Sequence, residues 1–188
     1  WAALTPQCLD LDSRSAVLPV VPMFHANNWS FPWSAAAVGA KLVYSAINDP
    51  AVLLPLIKAE GGNYLGGVPT VWLGLVQHAD ATGQTLAPLT RALTGGSAMP
   101  RAMVERLMRE GIRVSHAWGM TETSPIATVA YESADWDALD LERQVSIKAF
   151  RAGRCSGWRC APSHWTIRLR CCRATAPARA RCRCAGHG

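Results

Sequence analysis

The alternation of short apolar runs with helical patterns constrains the fold of this chain more than any other feature. From residue 17 to residue 130, almost every stretch that predicts a strand is followed by one that predicts a helix. Such alternation is typical of βαβ units, which build a mainly parallel sheet with flanking helices. The predicted fold class is therefore α/β. The predicted strands are Val17–Phe24, Lys41–Ser45, Asn63–Gly66, Arg91–Thr94, Ile112–Ala117 and Ile126–Ala130.

The predicted helices have clear boundaries. Asp49 before Pro50 is an N-cap followed by proline at the first helical position, where the missing N–H costs nothing. The helix that opens at Pro100 has an apolar stripe, and its wet side carries Glu105 and Arg109 four residues apart. The predicted helices are Phe31–Gly39, Pro50–Glu60, Pro69–Ala81 and Pro100–Gly111.

Composition indicates a globular protein without a membrane span. Apolar residues make up 49% of the 188 residues, and no run approaches the roughly 18 consecutive apolar residues of a spanning helix. The chain begins at Trp1 with no charged-then-apolar leader, so we expect no secretion signal and a natural N-terminus further upstream. Only Cys8 precedes residue 150, which favours a cytoplasmic location.

Charge divides the chain into two unlike parts. Residues 1–142 hold eight lysines and arginines against thirteen acidic residues, whereas residues 143–188 hold eleven basic residues and no acid. We predict a partial domain at 1–146 and a disordered or irregular basic tail at 147–188. An abrupt enrichment in Arg, Cys, Ala and Trp is what an out-of-frame reading of a GC-rich gene produces. We therefore interpret the tail as non-native sequence.

Two other interpretations of the tail stay open. Its cysteines and histidines are possible zinc ligands, but their spacings do not match the paired C-x₂₋₄-C pattern of structural zinc sites. An arginine-rich arm also supplies non-specific affinity for nucleic acid. That second interpretation defines the alternative function, a non-catalytic nucleotide-binding remnant with a basic tail that binds nucleic acid. The possible zinc ligands of the first interpretation are Cys155, Cys160, His164, Cys171, Cys172, Cys182, Cys184 and His187.

The segment 116–123, His-Ala-Trp-Gly-Met-Thr-Glu-Thr, follows a predicted strand and carries groups suited to a nucleotide. The ring of Trp118 offers a flat apolar face to a purine, and the hydroxyl of Thr121 suits a phosphate oxygen. The carboxylate of Glu122 suits Mg²⁺, which takes one or two carboxylates together with phosphate oxygens. The structural alternative is a strand-to-loop turn in which Thr121 is only a helix N-cap.

Three further segments lie at the ends of predicted strands. The turn from Gly95 to Ala98 lacks bulk, so its backbone admits a ligand closely, although glycine also suits a plain strand-to-helix turn. Pro22–His25 is followed by Trp29. His25 is a candidate site residue at a strand end, and the structural alternative is a histidine that only satisfies local hydrogen bonds. Gly66–Thr70 is a further candidate lining segment, and a strand–turn–helix joint with proline at the first helical position explains it equally well. Because ligands bind beyond the carboxyl ends of parallel strands, we predict one shared site there.

These four segments, in this order, resemble the adenylate-forming superfamily of acyl-CoA synthetases, luciferases and peptide-synthetase adenylation domains. The likeness spans about residues 13–146 and is greatest to fatty-acyl-CoA and methylthiopropionyl-CoA ligases. It implies that the chain is part of the large N-terminal domain of such an enzyme. The resemblance implies nucleotide contacts from Gly95, Gly96, Ser97, Ala98, His116, Ala117, Trp118, Gly119, Met120 and Thr121. It implies catalytic roles for Thr121, Glu122 and His25, a metal ligand in Glu122, and substrate contacts from His25, Trp29, Gly67 and Val68.

The resemblance also implies the substrates and the limits of the chain. ATP, Mg²⁺, coenzyme A and a fatty or similar carboxylic acid are the expected cofactors and partners. The family's phosphate loop, ribose-binding aspartate, hinge and C-terminal lysine have no counterpart here, so we expect the chain alone to be inactive. Trp118 stands where many relatives have tyrosine, which keeps the stacking face. No G-x-x-x-x-G-K-[ST], G-x-S-x-G, H-E-x-x-H or G-x-G-x-x-G motif supports another chemistry. Oligomeric state is left open.

Overall fold

A computed structural model describes residues 9–123, 125–130, 132 and 135–149, and they form a mixed sheet with helices on both faces. The strand order is β2-β1-β3-β4-β5-β6. The first five strands are parallel, and β6 pairs antiparallel with β5. The predicted α/β class is confirmed. The strands are β1 (Ala16–Val20), β2 (Lys41–Leu42), β3 (Tyr64–Gly67), β4 (Arg91–Thr94), β5 (Arg113–Trp118) and β6 (Thr128–Val129).

Among the described residues, six α-helical segments connect or follow these strands. The Asp49 cap is confirmed, since its carboxylate accepts from Ala51 N at 2.8 Å. The pair of Glu105 and Arg109 is also confirmed at 2.7 Å. The segments are α1 (Ala26–Trp29), α2 (Phe31–Val38), α3 (Pro50–Ala59), α4 (Pro69–Thr82), α5 (Arg101–Arg109) and α6 (Leu141–Ala149). Within the described part of the chain, no helix has the length and apolar character needed to cross a membrane.

The two faces of the sheet bury separate apolar layers, because successive strand residues point to opposite faces. Leu18, Leu65 and Val114 pack with α3, α4, α5 and α6 in the larger layer. Val17 and Tyr64 pack with α2 in the smaller one. The sheet is thus covered on both sides, which is the environment in which parallel strands are found. The predicted irregular tail begins at residue 147, but residues 147–149 complete α6. Residues 150–188 of that tail lie outside the described residues.

The first strand is shorter than predicted. The prediction of a strand over Val17–Phe24 was wrong beyond Val20, where β1 ends. The chain turns after the strand, since His25 N donates to Pro22 O at 3.0 Å. The chain therefore leaves the sheet before His25 and turns towards α2.

The turn that follows is left-handed. Five consecutive residues from Ala26 to Ser30 have φ values between 42° and 65°. Left-handed backbone costs about 1–2 kcal/mol for each residue with a Cβ, so this segment stores strain. Asn28 is fully buried inside it, and its side-chain amide donates to the carbonyl of Val21. That hydrogen bond ties the strained turn to the end of β1.

A network of charged side chains anchors α6 to the sheet. Lys148 is 1% exposed, and its Nζ lies 3.1 Å from Glu132 Oε1 and 4.9 Å from the centre of the Trp136 ring. The same Glu132 oxygen accepts from Arg113 Nε at 2.8 Å, and Arg113 also pairs with Asp10 at 2.8 Å. Helix α6 was not predicted from the sequence, because its attachment depends on this network of residues distant along the chain.

Candidate active site

Loops that follow three parallel strands enclose one cleft of about 170 Å³ at the carboxyl edge of the sheet. His25 comes from the turn after β1, Gly95 directly follows β4, and Trp118 ends β5. This is the edge at which ligands bind in parallel sheets. The lining residues are His25, Ala26, Trp29, Gly95, Gly96, Ala117, Trp118, Gly119, Met120, Thr121, Pro125 and Ile126.

The turn after β4 needs small residues. A Cβ on Gly95 would lie 3.0 Å from the carbonyl oxygen of Ala117 and 3.5 Å from Cη2 of Trp29. Gly96 has a φ of 77°, a left-handed conformation that other residues adopt at a cost. A side chain at Gly95 would fill the space between β4, β5 and the Trp29 ring. The glycines therefore keep the cleft open.

The loop that follows β5 forms the opposite wall. Ala127 N donates to Trp118 O at 3.0 Å and closes the base of this loop. Gly119 lies so close to Pro125 that an added Cβ would be 1.6 Å from the Pro125 carbonyl oxygen. The backbone at Gly119 thus contacts the backbone at Pro125, where the loop returns, and only glycine fits there.

The exposed groups of this wall suit a nucleotide. The Trp118 side chain is 42% exposed, so part of its ring is available to a planar base. Thr121 follows on a short 3-10 turn and also lines the cleft. Within one cleft, the indole of Trp118 offers a stacking face and the hydroxyl of Thr121 offers a hydrogen bond. The glycine backbone leaves space for the ligand. That combination is suited to an aromatic base carrying a phosphate.

Several predicted site residues lie outside the cleft lining. His116 is 1% exposed, and its Nε2 lies 3.3 Å from the carbonyl oxygen of Ser97. That contact joins the end of β5 to the turn after β4. Glu122 is exposed beside Thr121 without lining the cleft. Direct ligand contacts of these residues, and of Ser97 and Ala98, stay predictions.

The predicted substrate residues divide in the same way. His25 and Trp29 line the cleft, whereas Gly67 and Val68 do not. Val68 is near it, because a Cβ on Gly96 would lie 3.4 Å from Cγ1 of Val68. Substrate contacts of Gly67 and Val68 therefore also stay predictions.

Sequence reasoning missed Ala26, Pro125 and Ile126, which also line the cleft. The sequence carries no chemical signal for Ala26 or Ile126, since neither has a reactive group. For Pro125 a signal exists: a glycine followed six residues later by proline is consistent with a tight loop that folds back on itself. The contact itself depends on the pairing of β5 with β6.

The cleft suits a magnesium ion only if a ligand completes its coordination. Among the described residues, no group of three His, Cys, Asp or Glu side chains could hold a metal ion. Glu122 provides one carboxylate next to Thr121. Mg²⁺ is commonly held by one or two carboxylates, with substrate phosphates and water supplying the other oxygens. The residues present therefore fit a shared protein–nucleotide site rather than a resident metal.

Comparisons with known proteins agree with this geometry. The profile of the AMP-binding enzyme family matches residues 1–149. The long-chain-fatty-acid–CoA ligase of Thermus thermophilus is 42% identical over 140 residues, 74% of this chain and 26% of that protein. The 3-methylmercaptopropionyl-CoA ligase of Ruegeria pomeroyi is 38% identical over 146 residues, 77% of this chain and 27% of that protein. The N-terminal domain of FACL13 from Mycobacterium tuberculosis superposes with a TM-score of 0.62 at 22% identity, over 74% of this chain and 33% of that one.

The chain belongs to the AMP-binding enzyme family, and its curated relatives are acyl-CoA ligases. The resemblance found in the sequence is confirmed for both the fatty-acyl and the methylmercaptopropionyl branches. The fold is that of part of the N-terminal domain of such ligases, since the chain covers 33% of the FACL13 domain. The chain spans about a quarter of the length of these relatives.

Proposed function

We propose that this chain contributes the adenylate-binding part of an ATP-dependent acid–thiol ligase that acts on fatty or similar apolar carboxylic acids. The observation that carries the proposal is that Trp118, Thr121 and the pair Gly95–Gly96 line one cleft. Support for the acid comes from relatives named for long-chain fatty acids and 3-methylmercaptopropionate. Because these reactants are metabolites of the cell interior, a cytoplasmic location belongs to the same proposal.

In the first step of the proposed reaction, a carboxylate oxygen of the acid attacks the α-phosphorus of ATP and pyrophosphate leaves. Trp118 stacks on the adenine and fixes the nucleotide in the cleft. The hydroxyl of Thr121 donates to an α-phosphate oxygen, where negative charge accumulates. Catalysis of this kind depends on positioning and on charge stabilisation, and both are properties of a fixed cleft wall.

Glu122 is the group of this chain that would hold Mg²⁺ together with the phosphates. When bound, the ion neutralises part of the triphosphate charge. The exposure of Glu122 beside Thr121 is compatible with this role, because both the carboxylate and the incoming phosphates must reach the same ion. The remaining ligands come from the nucleotide and water.

In the second step, the thiol sulfur of coenzyme A attacks the acyl carbonyl carbon and its proton passes to solvent. The bond between the acyl carbon and the phosphate oxygen breaks, and AMP leaves. His25 and Trp29 line the same cleft and come from the segment that follows β1. We assign them to the acyl and thiol channel. The apolar ring of Trp29 suits an alkyl chain, and the imidazole of His25 suits the polar thioester region.

The stacking role of Trp118 predicts a specific loss of AMP binding. Trp118→Ala is expected to weaken AMP binding by the chain about tenfold, because base–aromatic stacking contributes about 1–3 kcal/mol. Trp118→Tyr keeps an aromatic face and is expected to remain within about threefold of the wild type. Isothermal titration with AMP measures both.

Trp33→Ala is the matched control. Trp33 lies on α2, is 68% exposed and does not line the cleft, so its loss is expected to leave AMP affinity unchanged. Equal AMP affinity of the Trp118→Ala variant and the wild type would contradict the stacking role.

We expect this chain to bind nucleotide without catalysing the adenylation reaction. The chain spans about a quarter of the length of its relatives, so we propose that it binds nucleotide but forms little or no acyl-adenylate by itself. The measurement is ATP–pyrophosphate exchange with a fatty acid, compared with the Thermus thermophilus ligase as a positive control. Substantial exchange by the 188-residue chain would refute this expectation.

A further inference from the structure

Thr123 closes the turn that carries Thr121 and Glu122, although it does not line the cleft itself. Its hydroxyl oxygen accepts from Met120 N at 2.8 Å. The same oxygen lies 2.9 Å from the carbonyl oxygen of Met120 and 3.0 Å from that of Pro125. One side chain thus contacts the backbone at the start of the turn and at the residue where the loop returns.

The Thr123 hydroxyl cannot donate to both carbonyl oxygens at once. A threonine hydroxyl has one hydrogen, so it donates to one of the two carbonyl oxygens while it accepts from Met120 N. The backbone adds a further bond, since Thr123 N donates to Met120 O at 3.0 Å. Met120, Thr123 and Pro125 therefore form one hydrogen-bonded unit.

The two residues held between these contacts have little other support. Thr121 and Glu122 are both exposed, so packing does not fix their positions. Gly119 fixes the loop on the other side by its contact with Pro125. The positions of the Thr121 hydroxyl and the Glu122 carboxylate consequently depend on the contacts that Thr123 and Gly119 make at the two ends of the turn.

We propose that Thr123 is a positioning residue that holds Thr121 and Glu122 against the phosphates and Mg²⁺ of bound ATP. This inference rests on the proposed function of the cleft. It assigns to the Thr123 hydroxyl an effect on the phosphate end of the ligand and none on the adenine end, since Trp118 precedes the turn.

The test is Thr123→Val in the 188-residue chain, which keeps the shape of the side chain and removes the hydroxyl. We expect the affinity for Mg·ATP to fall about tenfold, the usual scale for losing hydrogen bonds that support a charged ligand. Affinity for adenosine, which has no phosphate, is expected to stay within about twofold of the wild type. Thr123→Ser keeps the hydroxyl and is expected to restore Mg·ATP affinity.

Thr82→Val is the matched control, because the Thr82 hydroxyl also donates to a backbone carbonyl, that of His78 at 2.7 Å, but at the end of α4. It is expected to leave both affinities unchanged. If Thr123→Val unfolds, as circular dichroism would show, the comparison moves to Thr123→Ser against Thr123→Ala, with the same expected split between ligands.

Three outcomes would overturn the inference in different ways. Equal Mg·ATP affinity of Thr123→Val and the wild type would overturn the role of Thr123 alone. Equal losses for Mg·ATP and adenosine would show a collapsed loop, which is a structural role and not the one proposed. A wild-type chain that binds neither ligand would overturn the proposed function and this inference with it.

Discussion

Gly119→Ala is expected to abolish measurable AMP binding while the chain stays folded. The added methyl would lie 1.6 Å from the Pro125 carbonyl oxygen and 2.7 Å from its carbon, so the loop has to open. Both contacts are to backbone, which has no rotamer that relieves them. Opening the loop moves Trp118 and Thr121 apart, so AMP loses both the stacking contact and the hydrogen bond to its phosphate. Titration with AMP measures the loss, and thermal unfolding reports the fold.

Gly111→Ala provides the control for this substitution. Gly111 has a φ of 78°, and an added Cβ there meets nothing within 4 Å. The control therefore adds the same methyl with left-handed strain of about 1–2 kcal/mol and no collision. We expect it to lower stability modestly and to leave AMP affinity unchanged. Normal AMP binding by Gly119→Ala would show that the loop is not the wall of the nucleotide site.

Glu132→Gln is expected to lower the free energy of unfolding by about 3 kcal/mol near neutral pH, because it leaves the buried Lys148 cation without its anion. Among the described residues, the other contacts of Lys148 Nζ are the carbonyl of Ala130 at 3.3 Å and the ring of Trp136, and neither carries a full negative charge. Burial already lowers the pKa of the Lys148 ammonium, and Glu132 partly offsets that effect. Urea unfolding measures the change.

The pH dependence of this effect follows from the carboxyl group. Partial burial raises the pKa of Glu132, but the charges of Lys148 and Arg113 outweigh it, so the net pKa lies below its usual value of 4.5. A carboxyl whose folded pKa is lowered stabilises the fold above the unfolded pKa and loses this contribution as pH falls through the folded pKa. The difference between Glu132→Gln and the wild type should therefore narrow below about pH 4.5.

Two variants control the interpretation. Glu142→Gln removes a carboxylate from α6 that is 85% exposed and only 3.5 Å from Arg101, so we expect less than about 0.5 kcal/mol of change. Glu132→Gln combined with Lys148→Met removes both charges, and we expect it to recover much of the lost stability. A Glu132→Gln variant as stable as the wild type at neutral pH would contradict the anchoring role of the network.

The parallel sheet could be predicted from the sequence because it depends on local patterns. Apolar runs fix which residues enter the sheet, and Asp49 with Pro50 fixes where α3 begins. Strand ends were less predictable. The apolar run that forms β1 continues past Val20, and the strand ends where the chain turns at Pro22–His25. The left-handed turn from Ala26 to Ser30 contains Asn27 and Asn28, which tolerate this conformation, but no local pattern predicts it for Ala26, Trp29 and Ser30.

The candidate site could be predicted in part for a similar reason. Trp118 and Thr121 follow a strand end and line the cleft, as expected from parallel topology. His116 shares the same segment but is buried against the carbonyl of Ser97, a contact that depends on the register of β4 and β5. Helix α6 depends on Asp10, Arg113 and Glu132, which are far apart along the chain. Such long-range contacts have no local signature.

A crystal structure of the chain with AMP tests the central claim most directly. The proposal predicts adenine stacked on the Trp118 ring beside the Gly95–Gly96 turn, with the α-phosphate within hydrogen-bonding distance of Thr121. Electron density for AMP at any other surface, or a Trp118 ring that faces away from the base, would contradict it.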